Sequence, residues 1–456
     1  MEGANKEYLK NALEQWCSVI EEHTQILPER YDNYKVKRGL RNSDGTGVLA
    51  GLTNIGQVHG YIMYEDDRIP DDGKLSYRGI DVTEIVKACE QEDRFGYEEV
   101  CYLLLFGKLP TSRELEDFKK LVGAMRPLPY GFRDEMIMKT PGKDVMNKLA
   151  RSVLSMYSYD DNPDSTDLYN IIRQSILLFS RVPTMAAYAY QAKAHYIDGK
   201  SLYIHNPQPE LSMAENFLYM IRPDNKFTDL EAKVLDIAMI LHAEHGGGNN
   251  SAFTTRVVSS AGTDTYSAIG AAIGSLKGPK HGGANRKVMA MIEDFKENLS
   301  DINDRDAVAK HIEKVLAKET FDHSGLVYGM GHAIYTKSDP RAIQLKKKAE
   351  ELAEVTGNIK EFKLYSLIEE LTPEIFAVKK GPKHMCANVD LYSGFVYKCL
   401  NIPPELYTPM FAIARMPGWC AHRIEEVMYG GKIIRPAYKS VCGKGNGYVP
   451  IEERTV

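Results

Sequence analysis

The sequence lacks the cysteine patterns that mark a disulfide framework or a zinc site. Its seven cysteines are an odd number, and no two of them form a C-x-x-C pair. Cysteines spread in this way suit a reducing compartment, where thiols serve as small apolar side chains. We therefore expect neither a disulfide framework nor a zinc site.

Long apolar runs, a basic excess and a targeting sequence are also missing. No apolar run reaches the roughly 18 to 20 residues that cross a membrane. Lys and Arg number 57 against 62 Asp and Glu, and the net charge of -5 argues against a protein held on nucleic-acid phosphates. The first seven residues are polar and acidic, unlike a secretory or mitochondrial presequence. We expect a cytoplasmic protein that binds neither nucleic acid nor membrane.

Strand-like sequence is scarce as well. It is confined to residues 38–77, where Gly-rich, β-branched segments at 47–52 and 58–62 predict a short strand or hairpin region. From about residue 82 onward the pattern is helical. The predicted fold class is mainly α, with a small N-terminal β element, and 456 residues suffice for about two or three domains.

Apolar spacing, caps and breakers predict the helices. Thr111 is a candidate cap, and Thr228-Asp229-Leu230-Glu231 has the pattern of a capping box. Asp339-Pro340-Arg341 is interpreted as a proline stop, and Lys379 to Lys383 as a basic loop. The predicted helices cover residues 5–25, 97–106, 111–122, 170–192, 213–221, 230–242, 251–260, 265–276, 283–295, 298–318, 342–354, 362–370 and 406–428.

Three histidines lie beside glycine-rich turns between residues 242 and 285. His242 and His245 end a predicted helix at Gly246 to Gly248, and His281 lies in the loop before another helix. A histidine in such a loop can carry a proton near neutral pH. The alternatives are ordinary surface histidines at helix ends, or a metal pair at His242 and His245. We predict no metal site, because the pair has no third ligand at a convincing spacing.

Further charged side chains occur at helix ends or beside Gly and Pro turns, where they can converge on one cleft. A carboxylate, neutral histidines and arginines are the groups needed to remove a proton next to a carbonyl while holding a dianionic acid. Arginine suits bidentate binding of carboxylates. The set consists of His245, His281, His332, Arg341, Asp390, Arg415 and Arg435.

The positions of these groups predict their roles. Asp390 at a helix N-terminus would stay ionised and act as the base. His281, also near a helix N-terminus, would stay neutral and donate a hydrogen bond to a forming enolate. His332, in a glycine turn, would protonate or polarise a second carbonyl. The structural alternatives are that Asp390 only caps its helix and that Arg415 belongs to an ion pair.

Four motifs in order carry a family resemblance: H-A-E-H-G-G-G-N from His242, G-P-K-H-G-G-A-N from Gly278, G-M-G-H-x8-R from Gly329, and N-V-D-x-Y-S-G from Asn388. The segments A-R-x-x-G-W around Arg415, I-R-P around Arg435 and Y-R-G at 77–79 fit the same pattern. Over roughly residues 75–440 the chain resembles citrate synthase, in particular the bacterial citrate/2-methylcitrate synthases.

The resemblance implies a catalytic trio of His281, His332 and Asp390. By analogy, Asp390 takes the methyl proton of acetyl-CoA, His281 stabilises the enol, and His332 acts on the oxaloacetate carbonyl. The resemblance assigns oxaloacetate binding to His245, Asn249, Arg341 and Arg415, with Arg435 reaching into the partner subunit's site.

The same resemblance implies a two-domain homodimer with no permanently bound cofactor, which uses acetyl-CoA and releases CoA. Residues 1–281 and 396–456 would form the large, dimer-forming helical domain, and residues 282–395 the small, mobile, CoA-binding one. The CoA-binding residues implied are Leu326, Val327, Gly329, Gly331, Asn388 and Lys383.

Two positions depart from a simple assignment. Thr336 stands where many relatives have a basic residue four after the turn histidine, so a phosphate contact on that loop is left open. The lysines from Lys379 to Lys383 either contact phosphate or form a solvated charged loop.

Two other functions remain open. Propionyl-CoA in place of acetyl-CoA would give 2-methylcitrate, and the extra methylene is worth only about 1 to 3 kcal/mol in a pocket. A non-catalytic CoA-binding protein with the same fold would show a damaged acid/base set, whereas here the set is intact.

Overall fold

A computed structural model of the chain describes residues 2–65, 67–381, 384–442 and 447–454. It is mainly helical, as predicted. Its α-helices are Glu2–His23 (α1), Pro28–Asn33 (α2), Val82–Gln91 (α3), Tyr97–Phe106 (α4), Ser112–Met125 (α5), Val145–Ser155 (α6), Leu168–Tyr196 (α7), Met213–Ile221 (α8), Asp229–His242 (α9), Asn250–Ser260 (α10), Thr265–Lys277 (α11), Ala284–Asn298 (α12), Arg305–Leu316 (α13), Pro340–Thr356 (α14), Ile359–Lys380 (α15), Val389–Cys399 (α16) and Tyr407–Glu425 (α17).

The chain divides into two compact units. The smaller contains residues 1–50 and 435–456, and the larger contains residues 51–434. Within the smaller unit a hydrogen bond of 2.6 Å from Arg30 to the Val441 carbonyl joins the two ends of the chain. The larger unit holds the sheet and helices α3 to α17.

The predicted β element is a three-stranded antiparallel sheet in the order β1-β2-β3. Its strands are Gly56–Tyr64 (β1), Asp67–Tyr77 (β2) and Ile80–Asp81 (β3). The register of β1 on β2 shifts between His59 and Tyr61, where Gly60 alone stands opposite residues 71–73, so the extra residues of this irregularity lie on β2. The segment 58–62 lies in β1, as predicted. The prediction of a strand at 47–52 was wrong, because the structure has only an isolated bridge from Arg41 to Gly47 there.

Two long buried helices form the centre of the larger unit. Helix α17 is buried along nearly its whole length and packs against α4, α7, α9, α10 and α11. Helix α7 is buried on most of its sides, as its apolar and small residues predicted. Helix α9 begins with the predicted capping box, in which Thr228 and Glu231 each accept the other's backbone N–H. These helices fix the positions from which His245 and Arg415 extend.

Several predicted boundaries were wrong. The charged segment 298–318 is not one helix, because α12 ends at Asn298 and α13 begins only after its cap Asp304. Pro340 does not stop a helix but starts α14 at the first helical position, where its missing N–H costs nothing. Lys379 and Lys380 are the last residues of α15 rather than part of a loop. Over the described residues, no helix is both long enough and apolar enough to span a membrane.

Candidate active site

His245 lies just beyond the end of α9 and is buried, with 7% of its surface exposed. The chain turns away at Gly246, whose φ of +81° glycine adopts without strain. The His245 ring centroid lies 5.2 Å from that of His332 and 5.6 Å from that of Tyr335. Burial, followed by the charges of Arg341 and other nearby groups, holds the pKa of His245 well below its ordinary value. His245 is therefore a neutral imidazole at neutral pH.

The turn that carries His332 is joined directly to helix α16. Asn388, the N-cap of α16, donates from its side chain to the Gly331 carbonyl at 2.8 Å and accepts the Asp390 N–H at 2.9 Å. The Asn388 N–H also donates to the Gly329 carbonyl at 2.8 Å. One side chain thus fixes the spacing between the His332 turn and the first turn of α16, which carries Asp390.

The His332 ring is held by its own turn. Its Nδ1 accepts from the backbone N–H of Ile334 at 3.1 Å and of Tyr335 at 3.2 Å. With Nδ1 accepting, a neutral ring carries its hydrogen on Nε2. The ring centroid lies 4.7 Å from that of Tyr335, in a tilted arrangement. The turn therefore fixes both the orientation and the tautomer of His332.

His281 lies in the turn before α12 and is half-buried. Its Nε2 lies 3.1 Å from the Ser251 hydroxyl, which also accepts from Trp419 Nε1 at 3.0 Å. Burial, and then the charge of Arg415, lowers the pKa of His281 to about 4. The predicted neutral state of His281 thus has a physical basis in the structure, which is desolvation rather than a helix dipole.

Asp390 occupies the first turn of α16 and is half-buried. We expected it to be kept ionised by backbone amides, but burial instead raises its pKa to about 6. Arg341 opposes that rise more strongly than Arg415 does. At pH 7 the group is mostly ionised and only weakly solvated, which is the state that suits a general base.

Two buried arginines face this group of side chains. Arg341, at the start of α14, makes a bidentate pair with Asp339 at 3.0 and 2.8 Å, and its guanidinium carbon lies 5.4 Å from the Tyr335 ring centroid. Arg415 of α17 donates from Nε to the His242 carbonyl. Among the described residues, neither terminal nitrogen of Arg415 has a hydrogen-bond partner.

The two terminal nitrogens of Arg415 that have no described partner give the site positive charge. Burial lowers the pKa of Arg415 to about 10, which still leaves it protonated at neutral pH. A buried cation with open donors is costly, so these two nitrogens suit an anionic ligand. The Nε2 atom of His245 is also buried and has no described hydrogen-bond partner. Together these groups suit a small ligand with carboxylate and carbonyl oxygens.

His242 lies behind the site. Its Nδ1 is 2.7 Å from the Ala238 carbonyl, its ring packs edge-on against Phe411, and its own carbonyl accepts from Arg415. Burial lowers the pKa of His242 to about 3. No group of three or more His, Cys, Asp or Glu side chains in the described chain could hold a metal ion.

A buried polar network supports the same segment. The side chains of Glu244 and His422 are both fully buried, and His422 Nε2 lies 2.9 Å from Glu244 Oε1. Arg256 donates to His422 Nδ1 at 3.1 Å from Nε and pairs with Glu426 at 3.1 Å. Because Nδ1 accepts, a neutral His422 donates its Nε2–H to Glu244. Glu244 precedes His245 directly, so this network anchors the segment that carries His245.

The remaining predicted site residues differ in what the structure describes. Asn249 caps α10, and its side-chain oxygen accepts from the Ser251 hydroxyl at 2.9 Å. Leu326 is 56% exposed, Val327 is buried, and Gly329 and Gly331 have φ of +84° and +86°. Lys383 lies outside the described residues. Arg435 is exposed and belongs to the smaller unit, so its distance from the site is not defined.

Sequence reasoning missed several side chains in the site. Ser251 and Trp419 orient His281 yet are 168 residues apart, so no local pattern links them. Tyr335 contacts His245 and His332, and Asp339 pairs with Arg341. The only available signal was their position inside or beside the quoted motifs.

Comparisons with known proteins match the chain to one family. A family model described as the citrate synthase C-terminal domain matches residues 44–437. A citrate synthase from Synechocystis is 34% identical over 425 residues, covering 93% of this chain and 96% of the relative. The 2-methylcitrate synthase 1 of Corynebacterium glutamicum is 31% identical, covering 92% of this chain and 99% of the relative.

Solved structures agree. The citrate synthase of Thermotoga maritima has a TM-score of 0.72 at 32% identity, covering 92% of this chain and 99% of its own. The citrate synthase of Thermoplasma acidophilum, solved with carboxymethyl coenzyme A and oxaloacetate, has a TM-score of 0.75 at 27% identity with the same coverage.

Proposed function

We propose that this chain, which belongs to the citrate synthase family of acyltransferases, condenses acetyl-CoA with oxaloacetate and water to give citrate and CoA. The observation that carries the proposal is the buried Arg415, whose two terminal nitrogens have no described partner, together with the lowered pKa values of His245 and His281 and the raised pKa of Asp390. That combination suits a dianionic keto acid next to a group that removes a carbon-bound proton.

The proposed chemistry begins at Asp390. Its carboxylate removes a methyl proton of acetyl-CoA, and the pKa of about 6 makes it a stronger base than an ordinary aspartate while leaving it ionised at neutral pH. Neutral His281 donates a hydrogen bond to the oxygen of the forming enolate. For this, the ring hydrogen must be on Nδ1, and the Ser251 hydroxyl must turn its single hydrogen from Asn249 Oδ1 to His281 Nε2.

The second substrate is held by the other groups. We propose that Arg341 and Arg415 bind the oxaloacetate carboxylates, with His245 and Asn249 beside them. The Nε2–H of His332 polarises the carbonyl that the enolate carbon attacks, since Nδ1 is occupied by backbone amides. The carbon–carbon bond forms at that carbonyl, and water then hydrolyses the thioester to release CoA.

Coenzyme A would lie along Leu326, Val327, Gly329 and Gly331 and near Asn388, with Lys383 available for phosphate. Both glycines have positive φ, and Gly331, without a side chain, leaves its backbone open to a ligand, whereas Gly329 packs against Leu391. We also propose that residues 282–395 form a mobile small domain that closes over the substrates, and that the enzyme is a cytoplasmic homodimer with Arg435 reaching the partner subunit's site.

A second candidate function is the same reaction with propionyl-CoA, giving 2-methylcitrate. The match to the 2-methylcitrate synthase of Corynebacterium glutamicum supports it. The two acyl groups differ by one methylene, worth about 1 to 3 kcal/mol, which corresponds to roughly 10- to 200-fold discrimination.

Measuring kcat/KM for both acyl-CoAs tests the proposal and separates the two functions. We expect CoA release with oxaloacetate, a higher kcat/KM for acetyl-CoA, and full activity in the presence of a chelator. A higher kcat/KM for propionyl-CoA would assign the second function. No CoA release with either thioester, or activity that depends on an added divalent ion, would contradict the acid/base mechanism.

A further inference from the structure

The β1–β2 hairpin lies directly against the turn that follows His332. Arg68 on β2 donates to the carbonyls of Ala333 and Ile334, both at 3.1 Å. The N–H of Gly73 donates to the Ser338 hydroxyl at 3.0 Å. The hairpin thus contacts both ends of the turn, at residues 333–334 and at Ser338.

Two glycines allow this close contact. A Cβ atom at Gly60 would lie 2.6 Å from the Ile334 carbonyl oxygen and 2.7 Å from the Tyr335 Cα. At Gly73 it would lie 2.0 Å from the Ser338 carbonyl oxygen. Because these neighbours are backbone atoms, no side-chain rotation could relieve the clash. Gly60 also stands opposite the extra residues 71–73 of β2, and such bulges are enriched next to active sites, where they redirect the chain.

Thr336 fastens the turn to the hairpin. Its hydroxyl lies between the carbonyls of Gly60 and Asp71, at 3.1 Å from the latter, and accepts the Asp71 N–H at 3.2 Å. Here the side chain is directed into the hairpin backbone and forms part of the fold.

We propose that the β1–β2 hairpin is a positioning platform for His332 and that Thr336 is its key positioning residue. The path is short. Nδ1 of His332 accepts from the N–H groups of Ile334 and Tyr335, and these same two residues are held by Arg68 and Gly60. Loosening the hairpin contact therefore loosens the amides that orient the imidazole. The effect on turnover rests on the proposed role of His332.

The test compares Thr336→Val, which keeps the shape but removes the hydroxyl, with Thr336→Ser, which restores it. Misplacing a group that acts in the transition state lowers kcat, so we expect Thr336→Val to lose about 10- to 100-fold in kcat with KM for oxaloacetate changed by less than about threefold. Thr336→Ser should recover most of the loss. Thr356→Val is the matched control, because that hydroxyl donates to the Leu352 carbonyl and accepts from the Asn358 side chain at the end of α14, with no described bond to the hairpin or the His332 turn.

A second readout does not depend on turnover. Hydrogen-exchange mass spectrometry of peptides covering residues 332–338 should show faster exchange in Thr336→Val than in the wild-type chain or Thr356→Val. If Thr336→Val changes neither the exchange of these peptides nor kcat, the proposal that the hairpin positions His332 is wrong. If Thr336→Val does not fold, Arg68→Met, which removes the contact to the Ile334 carbonyl, decides by the same two readouts.

A parallel His332→Ala variant separates the two proposals. If His332→Ala keeps wild-type kcat, the catalytic role of His332 fails, while the exchange data still report on the hairpin contact. If His332→Ala loses activity but Thr336→Val changes neither kcat nor exchange, only the platform fails.

Discussion

At the scale of single residues, two effects act on Asp390 in opposite directions. Burial favours the neutral acid, while Arg341 and Arg415 favour the carboxylate, and the net result is a pKa of about 6. Because only the ionised form can accept a proton, kcat/KM should rise about tenfold per pH unit below 6 and level off above it. His281, with a pKa of about 4, stays mostly neutral above about pH 5. A pH profile of kcat/KM measures this, and an acidic limb centred near 4 would contradict it.

Asp390→Asn is the control for that profile, and it also tests stability. The variant should lose turnover while still binding oxaloacetate. A carboxyl pKa raised from 3.8 to about 6 contributes stability that is present below pH 4 and lost as the pH rises through 6. The loss is up to about 3 kcal/mol, so Asp390→Asn should have a higher free energy of unfolding than wild type at pH 7.5 but not at pH 4. If the variant and the wild type have equal free energies of unfolding at pH 7.5 as well as at pH 4, the pKa of Asp390 is not raised.

The sequence could identify the charged members of the site but not the groups that orient them. Histidines beside glycine turns and an aspartate at a helix start are visible as motifs, because turn and cap chemistry are local. The contact between Ser251 and Trp419 could not be predicted, because it joins residues far apart in the chain. The raised pKa of Asp390 was also out of reach, since burial is set by packing rather than by the adjacent residues.

At the scale of elements, the important connection joins the His332 turn to α16. Asn388 caps α16 and bonds the Gly331 carbonyl with the same side chain. Replacing it with Ala should cost about 1 kcal/mol of stability from the lost cap. We also expect a fall in kcat of about 10-fold or more, because the spacing between His332 and Asp390 is no longer fixed. Chemical denaturation and steady-state kinetics measure the two effects.

Asp304→Ala is the matched control for Asn388→Ala. Asp304 caps α13 by accepting from Asp306 and Ala307, and no described contact joins its side chain to the His332 turn. Both variants should lose similar stability, but only Asn388→Ala should lose kcat. Equal losses of kcat in the two variants would mean that Asn388 acts only through stability.

Element prediction succeeded where local signals end a helix and failed where they do not. Helices α4 and α8 have the predicted bounds, and α4 ends at Gly107 in a left-handed conformation. The charged segment 298–318 was misjudged, because charged residues continue across the break and the cap at Asp304 was not recognised. Pro340 was misjudged because proline ends one helix as readily as it starts the next.

At the scale of the whole molecule, the proposed subunit arrangement decides which active site Arg435 serves. Arg435 is exposed and belongs to the unit formed by the two chain ends. The proposal places it in the partner subunit's site, whereas His281 acts in its own. In a homodimer these two contributions can be separated, because a site built across the interface takes one residue from each chain.

Mixing two inactive variants tests this arrangement. Arg435→Ala and His281→Ala should each be inactive or nearly so alone. In their heterodimer one site combines the His281 of one subunit with the Arg435 of the other and is intact, while the second site carries both defects. Random mixing makes half of the dimers heterodimers with one good site in two, so about a quarter of wild-type activity should return after unfolding and refolding together. If Arg435 serves its own subunit's site, every site keeps one defect and mixing restores nothing.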